Sequence, residues 1–194
     1  TGKQSAESGA AALAHRSGYQ SNLKKIGGNF AVSSFQEDME KENMQDGSNR
    51  TFWHTRFKPT LATPPHFVIL ENPRGAEIGG LSYATWSGGN SNGQVTNYSV
   101  FVSDDGMTWG DPIVTGALEI RLANEQPIAF PEKTTKPFIK FLINDAFTLD
   151  GRSLASIGKL DVVASLENEH LRTQVSIATN SPEDLKLVIK RFAE

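Results

Sequence analysis

The chain has no cysteine among its 194 residues. That excludes a disulfide framework and any Cys-ligated metal centre, and it leaves the redox compartment open. No run reaches the roughly 18 consecutive apolar residues of a membrane-spanning helix. Positive charge is not in excess: 19 Lys and Arg stand against 22 Asp and Glu, a net charge of −3. A nucleic-acid binder usually carries a basic stripe, so that class is disfavoured. The four histidines (His15, His54, His66, His170) show no ligand spacing, no Ser stands in a nucleophile motif, and no carboxylate pair stands out in a loop. An enzyme reading is therefore weak. An initiator Met and a signal peptide are also lacking, so the chain reads as a mature product or an excised fragment.

What is present is punctuation. Seventeen Gly and nine Pro lie between short apolar runs, the pattern of many turns and many strands. The length suits one domain with attachments and is enough to bury a sizeable core. Residues 1–22, rich in Ala, Ser, Gly and Gln, read as an N-terminal extension. Residues 23–164 read as the domain, and 165–194 as a C-terminal extension. In the last of these, Ser181-Pro182-Glu183-Asp184 supplies an N-cap, a first-turn proline and first-turn acids. Leu185, Val188, Ile189 and Phe192 follow at helical spacing, so a short helix is expected near 182–193.

Between the extensions, strands are expected at Phe30–Val32, Phe67–Leu70, Ile78–Tyr83, Tyr98–Ser103, Met107–Trp109, Ile113–Thr115, Glu119–Leu122, Pro137–Ile143 and Leu160–Val163. No long helix separates them, which argues for an all-β sandwich or jelly roll. Trp53, Phe67, Ile69, Tyr98, Val100, Val102 and Leu142 are the expected core, and Trp109 also reads as structural. Trp86 differs. It adjoins the Gly/Ser/Asn loop Ser87–Gly93 and has little core to enter, so it reads as an exposed aromatic face, the alternative being a ring packed under that loop.

The turn Asp46-Gly47-Ser48-Asn49-Arg50-Thr51, followed by Phe52-Trp53-His54-Thr55, is dense in oxygens from Asp46, Ser48, Asn49 and Thr51. A set of that kind suits either an ordinary polar turn or a hard cation such as Ca²⁺.

Three motifs in order carry a family resemblance: Asp46-Gly47 through Thr51-Phe52-Trp53-His54-Thr55, then Pro65-His66-Phe67, then Asn92-Gly93-Gln94 through Ser103-Asp104-Asp105-Gly106-Met107-Thr108-Trp109. From about Phe30 to Val163 the chain resembles a factor V/VIII type C, or discoidin, domain. It is most similar to bacterial family 32 carbohydrate-binding modules. The resemblance implies a galactose-binding-domain-like jelly-roll β-sandwich, with no catalysis of its own. It also implies a module that targets a larger extracytoplasmic protein, secreted, periplasmic or at the cell surface, to glycans. The alternative keeps the fold and drops the sugar, leaving a protein-interaction or packing module beside neighbouring domains.

On that resemblance the ligand-binding candidates are Trp86, His54, Asn90, Asn92 and Phe147. The loops 53–57, 86–92 and 146–153 would present them at one end. An arginine that grips hydroxyls in galactose-type relatives is replaced here by Trp86. His54 has two readings, a strand-end histidine or a polar contact. The implied structural calcium would use Asp46, Asn49 and Thr51, but Lys159 stands where the family places a glutamate. Losing a carboxylate and gaining a cation disfavours a divalent ion. The Lys159 ammonium would then sit among the Asp46 oxygens in its place, the alternative being a Lys159 that faces solvent.

Overall fold

The computed structural model describes residues 25–26, 30–72, 75–121 and 124–164. The expected extensions at 1–22 and 165–194, with the helix near 182–193, lie outside them. Eleven strands are formed among the described residues: β1 (Lys25–Ile26), β2 (Phe30–Val32), β3 (Trp53–His54), β4 (His66–Glu71), β5 (Ile78–Ala84), β6 (Gln94–Ser103), β7 (Val114–Ala117), β8 (Gln126–Thr134), β9 (Phe138–Phe147), β10 (Ser156–Ile157) and β11 (Lys159–Val163). One turn of 3₁₀ helix, Lys41–Met44, precedes β3.

The strands divide into two sheets. One has the order β1-β11-β5-β8, and the other runs β2-β4-β9-β6-β10-β3 with β7 also on β6. Neighbours are antiparallel except β10 and β6, which run parallel. The result is a nearly all-β sandwich of the jelly-roll kind. Its core is the layer between the sheets, where Tyr83 from β5 stacks on Phe141 from β9 at 6.2 Å and Tyr98 from β6 stacks on the same ring at 5.4 Å. Trp53 is fully buried and donates its indole N–H to the Ser34 carbonyl at 2.9 Å.

The inward face of β4 is the opposite of the expected one. His66, Val68 and Leu70 are buried, whereas Phe67 and Ile69 are half-buried on the outer face. Leu142 goes with them, because it pairs with Phe67 in the β4–β9 register, and Ile139, Phe141 and Ile143 fill the core instead. An unbroken apolar run carries no alternation, and a shift of one residue turns every side chain over. Val102 is also only half-buried, packed against the core's margin.

Two expected strands do not form. Residues 107–109 are not paired, and the return strand begins at β7, opposite Asn97–Val100. Trp109 instead stacks over Lys140, whose ammonium lies 4.4 Å from its ring and 4.5 Å from the Phe101 ring. Leu118 to Arg121 forms a loop and turn, and the strand falls later, at β8. The run Gln126-Pro127-Ile128-Ala129-Phe130-Pro131 alternates buried and exposed residues. Its two prolines argue against a central strand, but β8 is an edge, where a missing N–H is tolerated.

Candidate functional site

The loops that follow β3, β5 and β9, together with the β7–β8 loop, gather at one end of the sandwich. Strand pairing brings them there: Ser156 of β10 lies opposite both His54 of β3 and Gln94 of β6, and Gln94 lies opposite Phe147 of β9. The Asn92-Gly93 turn is tied down on both sides. Gly93 has φ +82°, and a Cβ there would press on Ser156 and Ala155 at 3.0–3.2 Å, so the position needs glycine. The Ser156 hydroxyl donates to the Asn92 carbonyl at 3.2 Å, and the Asn92 side-chain oxygen accepts the Leu149 N–H at 3.0 Å.

Asn92 therefore joins the 86–92 loop to the 146–153 loop, and Phe147 stands between them, half-buried. Asn90 is exposed, and its side-chain oxygen accepts the Asn92 N–H at 3.1 Å, which shapes the loop. Leu149 is 63% exposed beside this seat.

His54 sits deeper. It is buried, its Nδ1 donates to the Thr55 carbonyl at 2.6 Å, and Phe52 and Phe57 meet its ring edge-on at 6.2 and 5.0 Å. Burial holds its pKa below the ordinary value, so the ring is neutral at pH 7. Of the two sequence readings, this placement matches the hydrogen-bonded strand histidine.

Trp86 is not the free aromatic face expected from its loop. It is half-buried and stacks on Phe52 with ring centroids 4.1 Å apart and 28° between planes. Its indole N–H donates to the Arg50 carbonyl at 3.0 Å. Gly88 and Gly89 lie against the ring so closely that a Cβ on either would come within 2.6 Å of it. Phe52 was available as a partner because the Asp46 turn folds toward the 86–92 loop, a tertiary relation that sequence spacing does not record.

That turn is closed on itself. The Asp46 carboxylate accepts the Ser48 N–H at 2.8 Å and the Thr51 hydroxyl. The Asn49 carbonyl accepts both the N–H and the hydroxyl of Ser87, and the Arg50 carbonyl is taken by Trp86. Lys159 does not enter the turn. Its ammonium pairs with Glu125 at 2.9 Å, and Glu125 also accepts the Ser82 hydroxyl at 2.7 Å. The expected replacement of a cation by Lys159 beside Asp46 is corrected accordingly: the Lys159 side chain is directed to the start of β8. Calcium takes six to eight oxygens, drawn from carboxylates, carbonyls and water. Here a single carboxylate stands in the turn, its oxygens and two nearby carbonyls are engaged, and among the described residues no group of three or more His, Asp or Glu could hold a metal. As arranged, the turn does not fit a calcium cage.

Three residues at this end, Gln94, Ser91 and Arg121, are not among the site candidates read from the sequence. Gln94 is buried; its Nε2 donates to the Trp86 carbonyl at 3.2 Å and its Oε1 accepts the Arg121 N–H at 2.8 Å. Arg121 in turn donates from Nε to the Ser91 hydroxyl at 2.9 Å, with its guanidinium 6.0 Å from the centre of the Phe147 ring.

A two-sheet jelly roll with this loop end defines the galactose-binding-domain-like class. Within that class the chain belongs to the F5/8 type C domain family, which matches residues 29–157. It is similar to a galactose oxidase of Gibberella zeae, 34% identical over 92 residues, 46% of this chain and 14% of the oxidase. It is also similar to a sialidase of Micromonospora viridifaciens, 31% identical over 127 residues, 65% of this chain and 19% of the sialidase. The match thus spans a small part of each relative. Among solved structures, CpGH89CBM32-5 from Clostridium perfringens, in complex with GalNAc-β-1,3-galactose, superposes with a TM-score of 0.59 at 26% identity, covering 70% of this chain and 94% of that one. The family 32 module of Clostridium perfringens NanJ, in complex with galactose, shares the fold at a TM-score of 0.58 and 18% identity, covering 69% of this chain and 91% of that one.

Proposed function

We propose that this domain is a non-catalytic carbohydrate-binding module that targets a larger extracytoplasmic protein to glycans. One observation carries the reading: at the loop end, the half-buried ring of Phe147 lies beside the Asn92 amide and the exposed Arg121 guanidinium. A sugar site needs an apolar face for the C–H side of the ring and a few fixed polar groups for its hydroxyls, and this cluster offers both. The saccharides named for the Clostridium perfringens modules support the ligand class. Phe147 is the stacking ring, Asn92 and Asn90 are the loop amides, and His54 backs the site. Trp86 acts by holding the loop in shape.

The experiment is a glycan array followed by calorimetric titration of the best binder. One sugar ring offers few contacts and must displace water, so affinity on the order of millimolar to tens of micromolar is expected. Phe147→Ala should abolish the signal, whereas a blank array for the folded wild type would defeat the reading.

The second reading, a protein-interaction or packing module, also rests on a specific observation. Phe35 and Leu61 are 52% and 41% exposed on two adjoining segments, 33–36 and 56–62. Those segments are tied together by the Gln36 side chain, which accepts the N–H groups of Phe57 and Lys58. A blank array combined with loss of binding to a neighbouring domain in Phe35→Ser would favour it.

A further inference from the structure

We infer that Arg121 determines the specificity of this site and selects saccharides bearing a carboxylate; the inference rests on the carbohydrate-binding reading above. Arg121 is held in place by its surroundings. Its backbone has φ +64°, the left-handed region that residues with a side chain seldom adopt. The bond from its N–H to the buried Gln94 side chain keeps it there, and Gln94 is itself anchored to the Trp86 carbonyl. The side chain is fixed a second time by the bond from Nε to Ser91, with the guanidinium 6.0 Å from the centre of the Phe147 ring.

With Nε engaged, the terminal Nη groups of this exposed residue make no hydrogen bond among the described residues. Among the described residues no ion pair includes Arg121. This is notable in a chain with a net charge of −3. On the same rim Arg152 is neutralised by Asp150 at 2.7 Å.

A positioned guanidinium without a counter-charge, beside an aromatic ring and an amide-lined loop, suits an anion on a sugar. The fork matches the two oxygens of a carboxylate, and a charge-assisted bond is about twice as strong as one to a neutral hydroxyl. Arg121 stands on the β7–β8 loop, and its bond to Ser91 ties it to the 86–92 loop.

The test compares ligands that differ only in the acid. Calorimetric titration is made with D-galacturonate against D-galactose, and with N-acetylneuraminic acid against its methyl ester, for the wild type, Arg121→Gln and Arg121→Lys. Thermal melts confirm that the variants fold. For at least one pair the acid should bind the wild type about tenfold more tightly at low salt, and the gap should narrow as salt is added. Arg121→Gln should bring the acid down to its neutral partner. Arg121→Lys should keep part of the gap, because it retains the charge and loses the fork. The pair that shows the gap tells a uronic acid from a sialic acid. Equal affinity within both pairs, or a gap that survives in Arg121→Gln, overturns the role of Arg121. If neutral sugars bind without acid preference, this inference alone fails. If neither these sugars nor any glycan on the array binds, the carbohydrate-binding reading fails with it.

Discussion

Trp86 lies stacked on Phe52, 4.1 Å between ring centres, and its indole N–H closes on the Arg50 carbonyl. The pair clamps the Asp46 turn to the 86–92 loop. Trp86→Ala should therefore lower stability, by about 1–3 kcal/mol for a partly buried aromatic that also loses a stacking partner. Trp86→Phe, which keeps the stack and loses only the indole bond, should cost about 1 kcal/mol. Urea unfolding measures both. A stability unchanged in Trp86→Ala, with saccharide binding gone, would return Trp86 to the role of an exposed platform.

Phe147→Ala should separate the two kinds of aromatic at this end. The ring is half-buried on the final residue of β9, and Gln94 opposite it is held by other bonds. Saccharide affinity should fall at least tenfold while the urea midpoint moves much less than in Trp86→Ala. Calorimetry and urea melts on the same preparation decide it.

His54 makes stability depend on pH in a defined direction. Burial depresses its folded-state pKa below the ordinary 6.5, against the opposing bond to the Thr55 carbonyl and with the neighbouring Arg152 charge acting the same way as burial. Below pH 6.5 the unfolded chain takes up a proton that the folded ring resists, so stability is full above that value and declines as pH falls toward the folded pKa. His54→Gln should flatten the decline between pH 6.5 and 5 in a series of melts. A slope identical to the wild type would mean that His54 titrates normally.

The Lys159–Glu125 pair is partly shielded, with side chains 17% and 31% exposed, and Ser82 adds a hydrogen bond to the same carboxylate. Lys159→Glu should destabilise by about 1–2 kcal/mol, since two carboxylates would then face each other. Adding Glu125→Lys should recover most of that loss, the non-additivity expected of a contacting pair. No recovery in the double variant would show that the charges do not interact. Added calcium should leave the wild-type melting temperature unchanged, because the Asp46 turn supplies one carboxylate.

The fold was legible where residues punctuate. Asp104-Asp105-Gly106, Asn92-Gly93 and the Asp46-Gly47 turn stand where the chain reverses, because glycine at positive φ admits few substitutes. Burial phase was less legible. Phe67-Val68-Ile69-Leu70 is apolar throughout, and only the register with β9 decides which pair faces inward. At the loop end, Asn92 and Phe147 are singled out through their place in family motifs, and they are neighbours there: the Asn92 side chain accepts the Leu149 N–H and the Gly93 N–H donates to the Phe147 carbonyl. Arg121 was not readable. Neither its left-handed backbone nor its approach to Phe147 leaves a trace in local sequence, and Leu118 to Leu122 alternates as a strand would. Trp86 and Lys159 were misjudged for a common reason: each found a partner, Phe52 or Glu125, more than 30 positions away.

The prolines of β8 bear on how such domains live together. Modules joined in series, or crowded on one glycan-coated surface, meet copies of themselves at high local concentration. A bare strand at a sheet's border then offers a template for fusing one sandwich to the next. Pro127 and Pro131 deny that border two of its amide donors while Ile128 and Phe130 remain turned into the core. The same nine residues that hide the strand from sequence inspection thus make this edge a poor template for strand addition.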